Sequence, residues 1–264
     1  MKYKVVATDF DGTFLTSTKT ISSNNISAMK ACREQKCITV GVTARNLSSV
    51  ESVCNIEIFD YLIVNNGTCI YDVKEDKAEH LGYLNDEIVR AITKEHLNQS
   101  EGIDYCTVRK YYSNKTVIRK PRPFHLEINN LSEVEGPVTR MNVFGKNNED
   151  VRRIEESVTR EYPDLNVFTM LDTDVNSSNK WVAINPGNCS KLKALTHLVE
   201  TLNISMDDVV FFGDATNDIE LIKSAGLGIA MENAIDDVKN NANDVTLTND
   251  EDGVAYYLNK LLEK

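Results

Sequence analysis

The stretch that most constrains the fold is residues 4–13, KVVATDFDGT, where a short apolar run stops at two aspartates and a glycine. Val5, Val6 and Ala7 have the continuous apolar character of a central strand covered on both faces. Asp9 and Asp11 therefore stand just past the carboxyl end of that strand, the place where open α/β sheets bind ligands. Two carboxylates two residues apart repel each other and resist joint ionisation unless a cation or a cationic group holds them. A ligand site is the first expectation. An ordinary Asp-Gly turn is the plain alternative, and only the rest of the chain decides between them.

At 264 residues the chain is long enough for one large domain or two modest ones. The formal charge of −11 argues against nucleic acid or an anionic membrane as partner, since both demand phosphate-facing Lys/Arg patches. It does not argue against a small phosphorylated ligand. Only Val5, Val6 and Ala7 precede the aspartates, too little for a signal-peptide core, and no apolar run approaches membrane-spanning length, so a cytoplasmic location is expected. The six cysteines form no CxxC pair and fall mostly within apolar patterns, as reduced core residues do.

The pattern predicts a helix capped by Ser22 or Ser23 and carrying Ile26, Met29 and Cys32, then a strand over 38–42 that ends at Thr43-Ala44-Arg45. A second helix (Leu47, Val50, Cys54) and a strand over 61–64 follow, and Asn65-Asn66-Gly67 turns the chain back through 68–71 as a hairpin. Around Leu84 the character changes. A helix over 86–97 leads into strand-rich segments at 105–119 and 138–144, a helix over 149–160, and strands at 166–170 and 181–184. Strands there succeed one another without alternating helices, which predicts an α+β insert over 84–186 with an antiparallel sheet. Residues 1–83 and 187–264 are predicted to form a Rossmann-like parallel-sheet core. The insert carries 14 Lys/Arg against 16 Asp/Glu and so only a small part of the negative charge. From Lys191 the α/β alternation resumes, with helices at 191–202 and 217–224, strands at 209–212, 227–231 and 245–247, and a last helix through Val254, Tyr257, Leu258 and Leu261.

Three further polar points stand at strand ends or a helix start in this core. Thr43 follows the second strand, Gly213-Asp214 follows the strand over 209–212, and Lys191 opens the helix after the insert. Asn217 and Asp218 lie in a first helical turn, where the dipole favours anions and acidic side chains. A parallel sheet would bring all of these to one edge with Asp9 and Asp11.

Taken with Asp9-Phe10-Asp11-Gly12-Thr13, this set resembles the haloacid dehalogenase superfamily across the whole chain. Its four motifs match as Asp9/Asp11, Thr43, Lys191, and Gly213-Asp214-Ala215-Thr216-Asn217-Asp218. The long insert, the Asn65-Asn66-Gly67 turn and the run from Gly228 to Ala234 are similar to the Cof-type subgroup, phosphatases of sugar phosphates and cofactor phosphates. The resemblance implies a Mg²⁺-dependent phosphatase of a small phosphorylated metabolite, with Asp9 as nucleophile forming an aspartyl phosphate and Asp11 as acid and base. As a proton donor, Asp11 is expected to have a raised pKa from acidic surroundings. The resemblance further implies Mg²⁺ on Asp9, Asp214 and the backbone carbonyl of Asp11, with Asp218 supporting the metal and pairing with Lys191. Phosphate would be held by Thr43, Lys191, Asn217 and backbone N–H groups near Gly12 and Ala44. Two departures stand out, Ala44 where Gly is commoner and Leu192 after Lys191 where Gly is commoner. The competing readings are a phosphotransferase or mutase, which Asp11 disfavours by supplying a base for hydrolysis, and a metabolite-binding protein without turnover. The one basic cluster, Arg109, Lys110, Lys115, Arg119, Lys120 and Arg122, is expected to be a solvated strand face, with a substrate-contacting surface as the second reading.

Overall fold

A computed structural model describes residues 1–114, 123–170 and 180–263 of the chain. The first five strands are β1 (Val5–Asp9), β2 (Ile38–Val42), β3 (Tyr61–Val64), β4 (Cys69–Asp72) and β5 (Lys77–His80). Six follow: β6 (Gly102–Cys106), β7 (Tyr111–Ser113), β8 (His125–Glu127), β9 (Arg140–Phe144), β10 (Leu165–Met170) and β11 (Trp181–Pro186). Three close the chain, β12 (Val209–Gly213), β13 (Leu227–Ala230) and β14 (Asp244–Val245). The α-helices are α1 (Ser23–Glu34), α2 (Leu47–Glu51), α3 (Asp86–His96), α4 (Asn148–Glu161), α5 (Lys191–Thr201), α6 (Ile219–Ser224), α7 (Asp236–Asn241) and α8 (Gly253–Leu262). No helix among the described residues is long and apolar enough to cross a membrane.

The chain divides into two compact units, Met1–Leu81 with Ser190–Lys264, and Gly82–Cys189. In the first, an eight-stranded sheet runs in the order β14-β13-β12-β1-β2-β3-β4-β5. β1 is flanked in parallel by β12 and β2, and every residue of β1 is buried, which is why its sequence is apolar without alternation up to the aspartate. The strand order reverses at β1, between β2 and β12, so the carboxyl ends of these strands open onto a topological switch point. Antiparallel pairing in this sheet is confined to β3 with β4, the hairpin that Asn65-Asn66-Gly67 announced, and to β4 with β5. That turn has a fixed neighbour: a Cβ at Gly67, which has φ +90°, would lie 2.2 Å from the Ser190 carbonyl oxygen just ahead of α5.

The helices begin where polar caps stand. Ser22, Asn46 and Ser190 accept hydrogen bonds from the N–H groups of Asn25, Ser49 and Lys193, fixing the starts of α1, α2 and α5. The differences from expectation are local. The second helix stops at Glu51, short of Cys54, and residues 216–218 form a 3₁₀ turn before α6 instead of its first α-helical turn. β5 carries only exposed side chains, Lys77 to His80, so no apolar alternation marked it.

The second unit holds a six-stranded sheet in the order β10-β11-β9-β6-β7-β8, antiparallel except for β7 with β8. One face packs Ile103, Tyr105, Met141, Val143, Val182 and Ile184 against Val89 and Ile92 of α3 and Val151, Ile154 and Val158 of α4. The alternate residues, among them Asp104, Arg140, Asn142 and Asn185, stand on the other face and are also buried. The segment expected at 105–119 is two short strands, β6 and β7, in its described part.

Candidate active site

The site is built on the end of β1. Asp9 is its last residue and is 6% exposed, and its Oδ1 accepts a 2.7 Å hydrogen bond from Lys191 Nζ. Lys191, the first residue of α5, is as deeply buried and also donates to Asp218 Oδ1 at 2.8 Å. Asp218 is fully buried, and its Oδ2 accepts from the backbone N–H groups of Asp214 and Ala215 at 3.2 Å each. A Cβ at position 213 would come within 2.6 Å of the Asp218 Cβ, so Gly213 is what lets this carboxylate fold under the end of β12. One lysine thus bridges the β1 and β12 strand ends; the resemblance implied its bond to Asp218 but not the one to Asp9.

Oxygens of Asp9, Asp214 and Asp218 lie within 4.8 Å of one another. Three carboxylates against one ammonium leave the site short of positive charge. Burial pushes the Asp9 carboxyl up to about 8, against the pull of Lys191 and with Asp218 and Asp214 adding to the rise. Burial likewise pushes Asp214 up to about 6, against the Thr13 hydrogen bond. Lys191 keeps its proton despite burial, because Asp218 and Asp9 face it. An all-oxygen donor set with excess anionic charge fits a hard divalent cation such as Mg²⁺. Asp214 suits that role: its Oδ1 is occupied by the Thr13 hydroxyl at 2.8 Å, and its Oδ2 faces the side of Gly12 where a Cβ would stand. Gly12 itself has φ +83°, and a Cβ there would lie 2.3 Å from that Oδ2. The Asp-Gly turn therefore lets the backbone approach the second carboxylate.

Asp11 departs from expectation. Its surroundings are basic: Arg45 Nε donates to Oδ2 at 2.6 Å, Arg45 Nη2 to Oδ1 at 2.7 Å, and Lys19 Nζ to Oδ1 at 2.9 Å. Burial alone would raise this carboxyl, but the Arg45 and Lys19 bonds outweigh it and hold Asp11 down at about 2. The expected raised pKa is thus corrected. Arg45 was visible in Thr43-Ala44-Arg45 but carried no assigned role. Lys19 lies in a loop eight residues on, and no local pattern marks it.

Thr43 is buried at the end of β2, and its Oγ1 accepts from the Arg45 N–H at 3.1 Å, which leaves the hydroxyl proton available. Ala44 follows it, half-buried, and Asn217 is exposed in the 216–218 turn. Thr13, which fixes Asp214, was absent from the expected site residues although it stands in the opening motif. In the basic cluster, Arg109 is exposed and Lys110 pairs with Glu135 at 2.8 Å, while Tyr111 and Tyr112 are buried. Lys115, Arg119, Lys120 and Arg122 lie outside the described residues.

The chain is similar to known proteins over nearly its whole length. The family model described as haloacid dehalogenase-like hydrolase matches residues 6–258. The pyridoxal phosphate phosphatase YbhA of Escherichia coli is 29% identical over 98% of this chain and 98% of its own. The 5-amino-6-(5-phospho-D-ribitylamino)uracil phosphatase YcsE of Bacillus subtilis is 28% identical over 96% of this chain and 93% of its own. A crystal structure of a haloacid dehalogenase-like hydrolase from Bacteroides thetaiotaomicron superposes with a TM-score of 0.86 at 25% identity, covering 98% of this chain and all of that one.

Proposed function

The chain belongs to the haloacid dehalogenase-like hydrolase family and is a phosphatase of its Cof-type branch, and we propose that it hydrolyses a small phosphorylated metabolite through an aspartyl phosphate on Asp9, with Mg²⁺ as cofactor. The observation that carries this reading is the buried Asp9–Lys191–Asp218 bridge with Asp214 in reach.

Asp9 Oδ2 has no part in the Lys191 bond and can attack phosphorus in line with the departing ester oxygen. The P–O bond to the leaving alcohol breaks as the bond to Asp9 forms, and the alcohol oxygen takes a proton from Asp11. Water then attacks the aspartyl phosphate and gives its proton to Asp11, and cleavage of the P–O bond to Asp9 frees inorganic phosphate. Lys191 and the Thr43 hydroxyl would donate to the phosphoryl oxygens, with Asn217 and the backbone N–H groups near Gly12 and Ala44. Mg²⁺, held by Asp9, Asp214 and the Asp11 carbonyl and supported by Asp218, would supply the missing positive charge. Gripped by Arg45 and Lys19, Asp11 stands as an ionised acceptor, ready for the base step; the acid step requires it to leave that grip carrying a proton.

Selectivity we assign to the insert, expected over 84–186. The core carboxylates, Lys191 and Thr43 are all engaged with phosphate or metal, leaving few groups to read the rest of a substrate. The insert offers the sheet face opposite α3 and α4, with Asp104, Arg140, Asn142 and Asn185. The relatives' substrates, pyridoxal phosphate and a phosphoribitylaminouracil, support a metabolite of that size. Turnover of a panel of phosphate esters with Mg²⁺, followed by acid quench and mass spectrometry, tests the reading. Phosphate on Asp9 is expected; phosphate on a serine or histidine would sink the mechanism.

A further inference from the structure

The turn after the nucleophile is held from behind by three asparagines. Asn233 Nδ2 donates to the Gly12 carbonyl at 2.8 Å, Asn25 Nδ2 to the Phe14 carbonyl at 3.3 Å, and Asn249 Nδ2 to the Leu15 carbonyl at 2.8 Å. Two of these amides accept as well as donate. Asn233 Oδ1 takes the Asn249 N–H at 3.0 Å and Asn25 Oδ1 takes the Ala255 N–H at 2.9 Å. Carboxylates would lose the donor, and aliphatic side chains would lose both functions.

Asn233 differs from the other two in what its neighbours touch. The Met231 N–H donates to the Gly213 carbonyl at 3.1 Å and the Ile235 N–H to the Asp214 carbonyl at 3.3 Å. The short segment around Asn233 is therefore tied on its backbone to the end of β12 and, through the Asn233 side chain, to Gly12 after β1. Those two chain ends carry Asp214 and Asp9. Between them the clearance is at contact, since even one methyl group at Gly12 would collide with Asp214 Oδ2. A loop pressed so closely on a carboxylate transmits a displacement of a few tenths of an ångström directly to it.

We propose that Asn233 is a positioning residue that sets the separation between the Asp9–Gly12 turn and Asp214, and so the fit of the divalent cation between them. The inference rests on the metal-dependent phosphatase reading. Asn233 is exposed whereas Asn25 and Asn249 are buried, so its loss leaves a carbonyl that water can satisfy, and the fold survives. Water satisfies the carbonyl without fixing its position, and the spacing is what is lost.

The test uses the whole chain with Mg²⁺ as the titrant in calorimetry, and p-nitrophenyl phosphate for kinetics. Asn233→Ala removes both hydrogen bonds; Asn233→Ser keeps a polar group too short to span to Gly12. In both, the Mg²⁺ Kd should rise about five- to twentyfold and kcat fall about tenfold or more, with KM within threefold and the melting temperature within a few degrees. A Mg²⁺ Kd within threefold of wild type in both variants overturns the assignment. Wild-type protein that binds Mg²⁺ but turns over no phosphate ester would sink the phosphatase reading while the Kd comparison still decides on Asn233. Wild-type protein that binds no Mg²⁺ overturns both.

Discussion

Mg²⁺ binding to this site should be driven by proton release, with a pH dependence fixed by two carboxyl groups. The perturbation is pH alone, varied from 5 to 9 on wild-type protein. Burial holds Asp9 at about 8 and Asp214 at about 6, both raised from 3.8. Between those two values Asp214 is already ionised and Asp9 still carries its proton. A cation that takes Asp9 as ligand must expel that proton, so Kd should fall about tenfold for each pH unit between roughly 6 and 8. Below about 6 both groups must deprotonate and the slope should steepen to about a hundredfold per unit; above about 8 it should vanish. The metal-free protein shows the other side of the same linkage. A carboxyl whose folded pKa is raised makes the folded state bind a proton that the unfolded chain has released, so stability falls as pH rises from about 4 to about 8, and Mg²⁺ restores it. Titration calorimetry in buffers of different ionisation enthalpy counts the protons directly. Near pH 7 about one proton per Mg²⁺ should appear. A Kd unchanged between pH 6.5 and 7.5, with no proton released, would refute the placement of the metal on Asp9.

Asp9→Asn should lower turnover by about a thousandfold or more, because an amide is a far poorer nucleophile, while the circular dichroism spectrum stays that of wild type. In wild type a hundredfold excess of Mg²⁺ over Kd should stabilise the fold by about 2.7 kcal/mol; Asp214→Asn should lose most of the rise in melting temperature, and equal rises would place the metal elsewhere. Arg45→Ala should let the Asp11 carboxyl rise from about 2 toward 3.8. A depressed carboxyl pKa stabilises the fold above about 4 and stops doing so by about 2, so the variant's deficit, under about 1 kcal/mol at this half-exposed pair, should shrink as melts are taken from pH 7 to pH 2. Asn142→Ala and Asn185→Ala should change kcat/KM unequally among phosphate esters; a uniform fall across the panel would remove the sheet face opposite α3 and α4 from substrate selection.

What was legible in the sequence is what short-range chemistry writes into it. β1, β2, β3 and β12 are buried on both faces, so their apolar runs and the polar residues that end them could be read directly. A cap residue announced α1, and the hairpin turn announced β4. Asp9, Asp214, Asp218 and Lys191 were legible as strand-end and helix-start residues because the parallel topology leaves those ends nowhere else to go. β5 was illegible because an exposed edge strand needs no apolar alternation. The charge state of Asp11 was illegible for a different reason: it is decided by the Arg45 and Lys19 side chains, 34 and 8 residues away, reaching the same carboxylate. A motif specifies which carboxylate stands in the site, whereas its pKa belongs to whatever the tertiary structure brings within 3 Å. The same distinction explains Asn233, an ordinary turn residue in sequence that becomes the link between Gly12 and the end of β12 only when residues 221 apart in the chain are brought together. Long-range polar contacts of this kind carry no periodicity and no local spacing, so side-chain geometry is the first level at which the groups governing protonation and spacing in this site can be read.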